Sequence, residues 1–254
     1  MFKAVLRCFY LLPVLLTCLH VRADEVQVAV AANFAVPMKQ IAEYFEKESG
    51  HKVLTSIGST GKFYAQITNS APFDVFLSAD DETPARLEKE GFVVAGSRFT
   101  YATGRLVLWS AKPDLVDAKA AVLLRSDFKH LAIAAPKLAP YGAAAIQTLE
   151  KIGLLDTLKP KIVQGDSIGQ TFSMVSTGNA ELGFIALSQV YADNASGGVK
   201  TGSGWVVPAN LHSPLLQDAV LLTRAKAKPA AAQLMTFLKS EQARAVIRSF
   251  GYEP

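Results

Sequence analysis

The chain predicts an α/β protein of two lobes, each a mostly parallel sheet flanked by helices. Short apolar runs with strand character alternate with runs of helical period. The alternation occurs twice along the chain, and two long extended passages separate the two series. In such sheets, ligands bind where the strands end at their carboxyl sides.

The first series begins with Val26 to Ala31, which alternates and then runs apolar as a buried strand does. Pro37 to Ser49 places Met38, Ile41, Ala42 and Phe45 on one helical stripe, closed by Gly50. His51 to Ile57 reads as a strand, Gly61 to Asn69 as a short helix and Asp74 to Ser78 as a third strand; Thr83 opens a helix with Pro84 at its first position, ending near Gly91. Phe99 to Ser110 is extended, and too long and apolar for an ordinary connection. The second series follows: strand Leu131 to Ala135, helix Gly142 to Ile152, strand Lys161 to Gln164, helix Gly169 to Thr177 and strand Leu182 to Leu187. A second extended passage, Trp205 to Thr223, leads into one C-terminal helix over Ala230 to Phe250. The expected division is a first lobe of residues 24–103 and 207–254, with residues 104–206 inserted as the second lobe about a hinge.

Residues 1–23 read as a secretory signal. Lys3 and Arg7 precede an apolar run from Cys8 to Leu19, and Val21-Arg22-Ala23 offers a small residue for cleavage before Asp24. Both cysteines, Cys8 and Cys18, fall inside this segment, so the exported domain rests on its hydrophobic core and not on disulfides. Thr17 stands where a lipid-anchored Cys18 would want a small neighbour, which argues against a lipoprotein. Removing Lys3, Arg7 and Arg22 from 26 bases against 22 acids leaves +1. A surface so near neutrality excludes nucleic acid as the expected partner.

Two turns carry the functional signal. Ser56-Ile57-Gly58-Ser59-Thr60-Gly61-Lys62 is a hydroxyl-bearing, glycine-flanked turn opening a helix, and Ala31-Ala32-Asn33-Phe34 joins the first strand to the next helix. Helix openings offer unpaired N–H groups and partial positive charge, which attract an anion. The turn at Gly58 is not a nucleotide phosphate loop, because Ser56 occupies the first glycine position and Phe63 follows the lysine.

Six stretches in order, AVAANF at Ala29–Phe34, GSTGK at Gly58–Lys62, DVFLSAD at Asp74–Asp80, GSRFTYATGRLVLWSAK at Gly96–Lys112, IAAPKLAPYG at Ile133–Gly142 and ELGFIALS at Glu181–Ser188, resemble the periplasmic molybdate-binding proteins of ABC uptake systems. The resemblance implies the type II periplasmic-binding-protein fold with two crossover strands. It also implies an oxyanion held by hydroxyls and backbone N–H groups without a countercharge. Carried over position by position, it puts Ala32, Asn33, Ser59, Thr60, Tyr141 and the backbone N–H of Ile168 at molybdate or tungstate. Some relatives carry a tyrosine ligand where this chain has Ala186, so any phenolic donor must come from Tyr141. The implied partner is a membrane permease of an ABC transporter, served by a monomeric, periplasmic, non-enzymatic protein that needs no cofactor.

These residue types suit the anion. Molybdate at neutral pH has no proton to give, so every partner must donate, and an uncharged site avoids burying a cation. Sulfate has the same charge and shape, so discrimination must come from cavity size, and tungstate is expected to bind as well. Alternatives are a receptor of the same fold for sulfate or phosphate and a secreted serine hydrolase. The latter would use Ser167 in Gly165-Asp166-Ser167-Ile168-Gly169, followed by Asp193 and His212. His51, His130 and His212 lack metal-ligand spacing and read as surface or loop residues, so no cation site is expected.

Overall fold

The computed structural model describes residues 23–192 and 198–253. The predicted signal up to Arg22, with both cysteines, lies outside the described residues, as does Asp193. Among the described residues, no helix is long and apolar enough to cross a membrane.

Two five-stranded sheets form two lobes. The first is built from β1 (Glu25–Ala31), β2 (Lys52–Gly58), β3 (Val75–Leu77), β4 (Phe99–Gly104) and β10 (Leu215–Leu221), in the order β2-β1-β3-β10-β4. The second holds β5 (Leu106–Ser110), β6 (Leu131–Ala134), β7 (Ile162–Gly165), β8 (Leu182–Ala186) and β9 (Ser203–Val206), in the order β7-β6-β8-β5-β9. In each sheet four strands run one way, and the fourth in the order, β10 or β5, runs against them. The predicted passage Phe99 to Ser110 is thus two strands in two sheets, parted at Arg105. The passage from Trp205 returns the chain through β10.

Helices cover both faces of the first sheet. α1 (Ala35–Ser49) lays Met38, Ile41, Ala42 and Phe45 against Val26, Val28 and Val30 on one side, where α8 (Pro229–Phe237) and α9 (Glu241–Ser249) add Leu234 and Ile247. On the other side, α2 (Thr60–Thr68) and α3 (Glu82–Lys89) contribute Phe63, Ile67 and Leu87 to a cluster around Phe76. The second sheet packs in the same manner under α5 (Pro140–Lys151) and α7 (Ile168–Ser176), while α4 (Ala121–Arg125) and α6 (Leu155–Leu158) are short helices that the periodicity does not announce.

Two predicted helices differ from expectation: α3 begins at Glu82, so Pro84 is its third residue and not its first, and the C-terminal helix is divided. The single helix predicted over Ala230 to Phe250 is two, α8 and α9, because Ser240 accepts the N–H of Ala243 and starts a new helix. Two histidines sit in loops, one of the two expected settings, but away from solvent. His51 and His212 are buried; Nδ1 of His51 accepts the N–H of Asp24, and its ring lies against Phe45.

Candidate anion-binding site

Strand register brings the two predicted turns together. Ala31 pairs with Gly58 at the ends of β1 and β2, so the turn Ala32–Phe34 and the start of α2 leave the sheet side by side. The second lobe repeats the device. Ala134 pairs with Gly165 at the ends of β6 and β7, and the chain continues into α5 and α7. Gly142 permits this: a Cβ there would lie 2.0 Å from the carbonyl oxygen of Ala134, so only glycine lets α5 start so close to its strand.

The four openings meet at a small cavity lined by Ala31, Ala32, Asn33, Gly58, Ser59, Thr60, Ala79, Ala139, Pro140, Tyr141 and Ile168. All six residues singled out in the sequence are in this wall, and none of the lining side chains is charged. The cavity is small, with room for the centre of about one water molecule, far below the size of an organic-ligand pocket. The N–H groups of Thr60, Tyr141 and Ile168 belong to the first turns of α2, α5 and α7, where the helix cannot pair them. No acceptor elsewhere in the described residues takes them. Three helix dipoles thus present their positive ends to one point.

The side chains divide by what they already hold. Ser59 occupies the N-cap position of α2 but makes no capping bond, and its buried Oγ has no partner. Thr60 Oγ1 accepts the N–H of Ala79 at 3.1 Å, which leaves its own proton to give. Asn33 does not cap α1. Its Nδ2 donates to Gln217 Oε1 and to the Tyr252 hydroxyl, both at 2.9 Å, and its buried Oδ1 has no partner. Ser59 Oγ and Asn33 Oδ1 are the two buried side-chain polar atoms without a hydrogen bond among the described residues, and both residues line this cavity. Such atoms are costly to leave unpaired, so their concentration here marks a place prepared for a ligand. The Tyr141 phenol points away, accepting Gln217 Nε2 at 3.0 Å.

Behind the wall lies a polar network that the sequence reading did not pick out. Gln217 is fully buried in β10 at a register shift and contacts Asn33, Tyr101 and Tyr141; Tyr101 donates to Ser78 O, and Ser188 Oγ donates to Asn33 O and lies 2.9 Å from the Tyr252 hydroxyl. The available signal was the pair Gln217-Asp218 interrupting an otherwise apolar strand. Burial pushes the phenols of Tyr101 and Tyr141 well above their ordinary value and that of Tyr252 up to about 12, so all three keep their protons at neutral pH.

Charge stays at the margin. Lys62 Nζ reaches across the cleft to Asp166 at 2.6 Å and does not line the cavity. Asp80 accepts from Ser78 Oγ, from Thr83 N–H and from Thr83 Oγ1, and burial raises its carboxyl above the ordinary aspartate value against those bonds. Among the described residues, no group of three or more His, Cys, Asp or Glu is placed to hold a metal ion. Ser167 Oγ caps α7 by accepting the N–H of Gln170, and His212 Nδ1 lies 2.7 Å from Ser213 O. No hydrogen bond joins those two side chains, as a catalytic pair would need.

Known proteins share this sequence and fold. Residues 26–253 match the family described as bacterial extracellular solute-binding protein. The molybdate-binding protein ModA of Azotobacter vinelandii is 61% identical over 238 residues, covering 94% of this chain and 93% of its own length; that of Rhodobacter capsulatus is 50% identical over 230 residues, covering 91% and 88%. The solved structure of an Azotobacter vinelandii periplasmic molybdate-binding protein superposes with a TM-score of 0.86 at 44% identity, over 90% of this chain and 99% of that one. The sulfate-binding protein SubI of Mycobacterium tuberculosis, at 15% identity and a TM-score of 0.74, shares the fold. With two lobes, paired helix openings and a sequence matched almost from end to end, the chain belongs to the bacterial extracellular solute-binding proteins, in the company of the ModA proteins.

Proposed function

We propose that this protein captures molybdate in the periplasm and delivers it to an ABC permease, with tungstate as a second ligand. The observation that carries the reading is the uncharged, donor-rich cavity where four chain turns from two lobes converge. The name of relatives at 61% and 50% identity supplies the metal. Ser59 and Thr60 contribute hydroxyl donors, Asn33 an amide, and Ala32, Tyr141 and Ile168 their backbone N–H groups. Each hydrogen bond to the charged ion contributes about 1.5 to 3 kcal/mol, and several together outweigh the cost of association. Sulfate has the same charge and shape, so preference for the larger tetrahedron would come from donor spacing, with the shorter bonds of sulfate leaving the donors stretched.

The working form is a monomer without a cofactor. It is released from the membrane by cleavage after Ala23, which intact-mass measurement of the exported protein checks. Isothermal titration tests the central reading. Molybdate and tungstate are expected to bind one per chain, with sulfate and phosphate giving no heat. Binding of sulfate or phosphate without molybdate would assign the protein to another oxyanion.

A further inference from the structure

We propose that Gln217 is a positioning residue for the anion site, and that the side-chain amides of Asn33 and Gln217 turn over together when the ion is captured. This rests on the oxyanion reading above and adds a device to it. As the side chains stand, Asn33 gives both of its donor contacts to the protein, to Gln217 Oε1 and to the Tyr252 hydroxyl. The end left for the cavity is the unpartnered Oδ1. An oxygen cannot meet an oxyanion, which accepts hydrogen bonds and gives none. Asn33 therefore serves as a donor only with its amide reversed.

Reversal by itself fails. It would set Asn33 Oδ1 against Gln217 Oε1, two acceptors at 2.9 Å in a fully buried place. Turning Gln217 as well removes the conflict. Its Nε2 then faces Asn33 Oδ1 and the Tyr101 hydroxyl, which keeps its own bond to Ser78 O, while its Oε1 faces the Tyr141 hydroxyl. Tyr141 can give its proton to Gln217 Oε1, and Tyr252 moves its proton from Asn33 O, to which it donates at 2.9 Å, to Asn33 Oδ1, while Ser188 continues to donate to Asn33 O. Both amides keep their shape, because oxygen and NH₂ are nearly the same size. The mixed arrangements each leave a buried clash, so the pair has two self-consistent states and the dianion selects one. Since Gln217 sits on a first-lobe strand and Tyr141 on a second-lobe helix, the same switch joins occupancy of the cavity to the contact between lobes.

Side-chain amide NMR of the wild-type protein, titrated with sodium molybdate, tests this without any substitution. The NH₂ signals of Asn33 and Gln217 are expected to shift along one titration curve, with the Gln217 protons losing proximity to the Tyr141 ring and gaining it to the Tyr101 ring. A Gln217 signal that stays fixed while backbone signals of Thr60 and Ile168 move would overturn the proposal. A double-mutant cycle by calorimetry gives a second readout. Gln217→Met is expected to weaken molybdate about tenfold when Asn33 is present and less than about twofold in the Asn33→Ala background. Equal losses in both backgrounds would reduce Gln217 to packing. If wild-type protein gives no heat with molybdate, the functional reading itself fails; if it binds and the amides stay put, only the coupling does.

Discussion

Ser59 and Thr60 are neighbours with opposite debts to the fold. Ser59 Oγ has no partner to lose, so Ser59→Ala is expected to leave the melting temperature of the ligand-free protein unchanged or higher while molybdate affinity falls about tenfold. Thr60→Val removes the acceptor of Ala79 N–H together with the hydroxyl proposed to donate to the ion. It is expected to cost about 1 to 3 kcal/mol in binding and to lower the melting temperature too. Calorimetry and thermal unfolding on both variants separate a ligand from a strut. Asp80 gives the pH dependence. Burial raises its carboxyl, so its neutral form suits the fold: that contribution is full below the ordinary 3.8 and lost as pH rises through the raised value. At pH 7 the ionised group is a cost. Asp80→Asn is therefore expected to raise the melting temperature at pH 7, leave it unchanged at pH 3, and tighten dianion binding by relieving repulsion through the Ser78–Thr60 contact.

At the scale of elements, the start of α5 is the sensitive joint. Gly142→Ala would drive a methyl into the Ala134 carbonyl and push the helix opening off the cavity. Loss of molybdate binding is expected, with the helical circular dichroism retained. Much at this scale was legible in the residues. The stripe Met38, Ile41, Ala42 and Phe45 gives α1, and two turns after apolar runs, the glycine-flanked one at Gly58 and the small-residue one at Ala31-Ala32-Asn33, mark the first-lobe openings. What was not legible depended on partners distant in sequence. Ser240 could as well have sat inside a helix, and only the packing of α8 and α9 on α1 makes it a cap. Likewise, Gln217 in a strand signals a buried polar group, but not that it meets Asn33, which follows another strand of the same sheet 184 residues earlier, and Tyr141, which belongs to the second lobe. The phenol of Tyr141 followed the same rule: position named the residue, and only the fold showed that its hydroxyl faces inward.

Across the whole molecule, the bonds between lobes around the cavity include, among the described residues, Gly61 N–H to Leu138 O, Ser188 Oγ to Asn33 O, the Tyr252 hydroxyl to Ser188 Oγ, Gln217 to Tyr141, and the ion pair of Lys62 with Asp166. The ion pair is half-exposed and screened, so Lys62→Ala is expected to change molybdate affinity by less than about fivefold, a loss that 0.5 M salt abolishes. Calorimetry at two ionic strengths checks it. A larger, salt-insensitive loss would mean that the lysine meets the ion itself.

The placement of β10 has a consequence for biogenesis. It fills the gap between β3 and β4 and is delivered from near the end of the chain, whereas the second sheet is complete once Val206 has emerged. A polypeptide that appears N-terminus first must hold β3, with its wholly buried Val75-Phe76-Leu77, as a raw apolar edge until its last fifth arrives. The inserted half can mature early, and the enclosing half waits for its own tail.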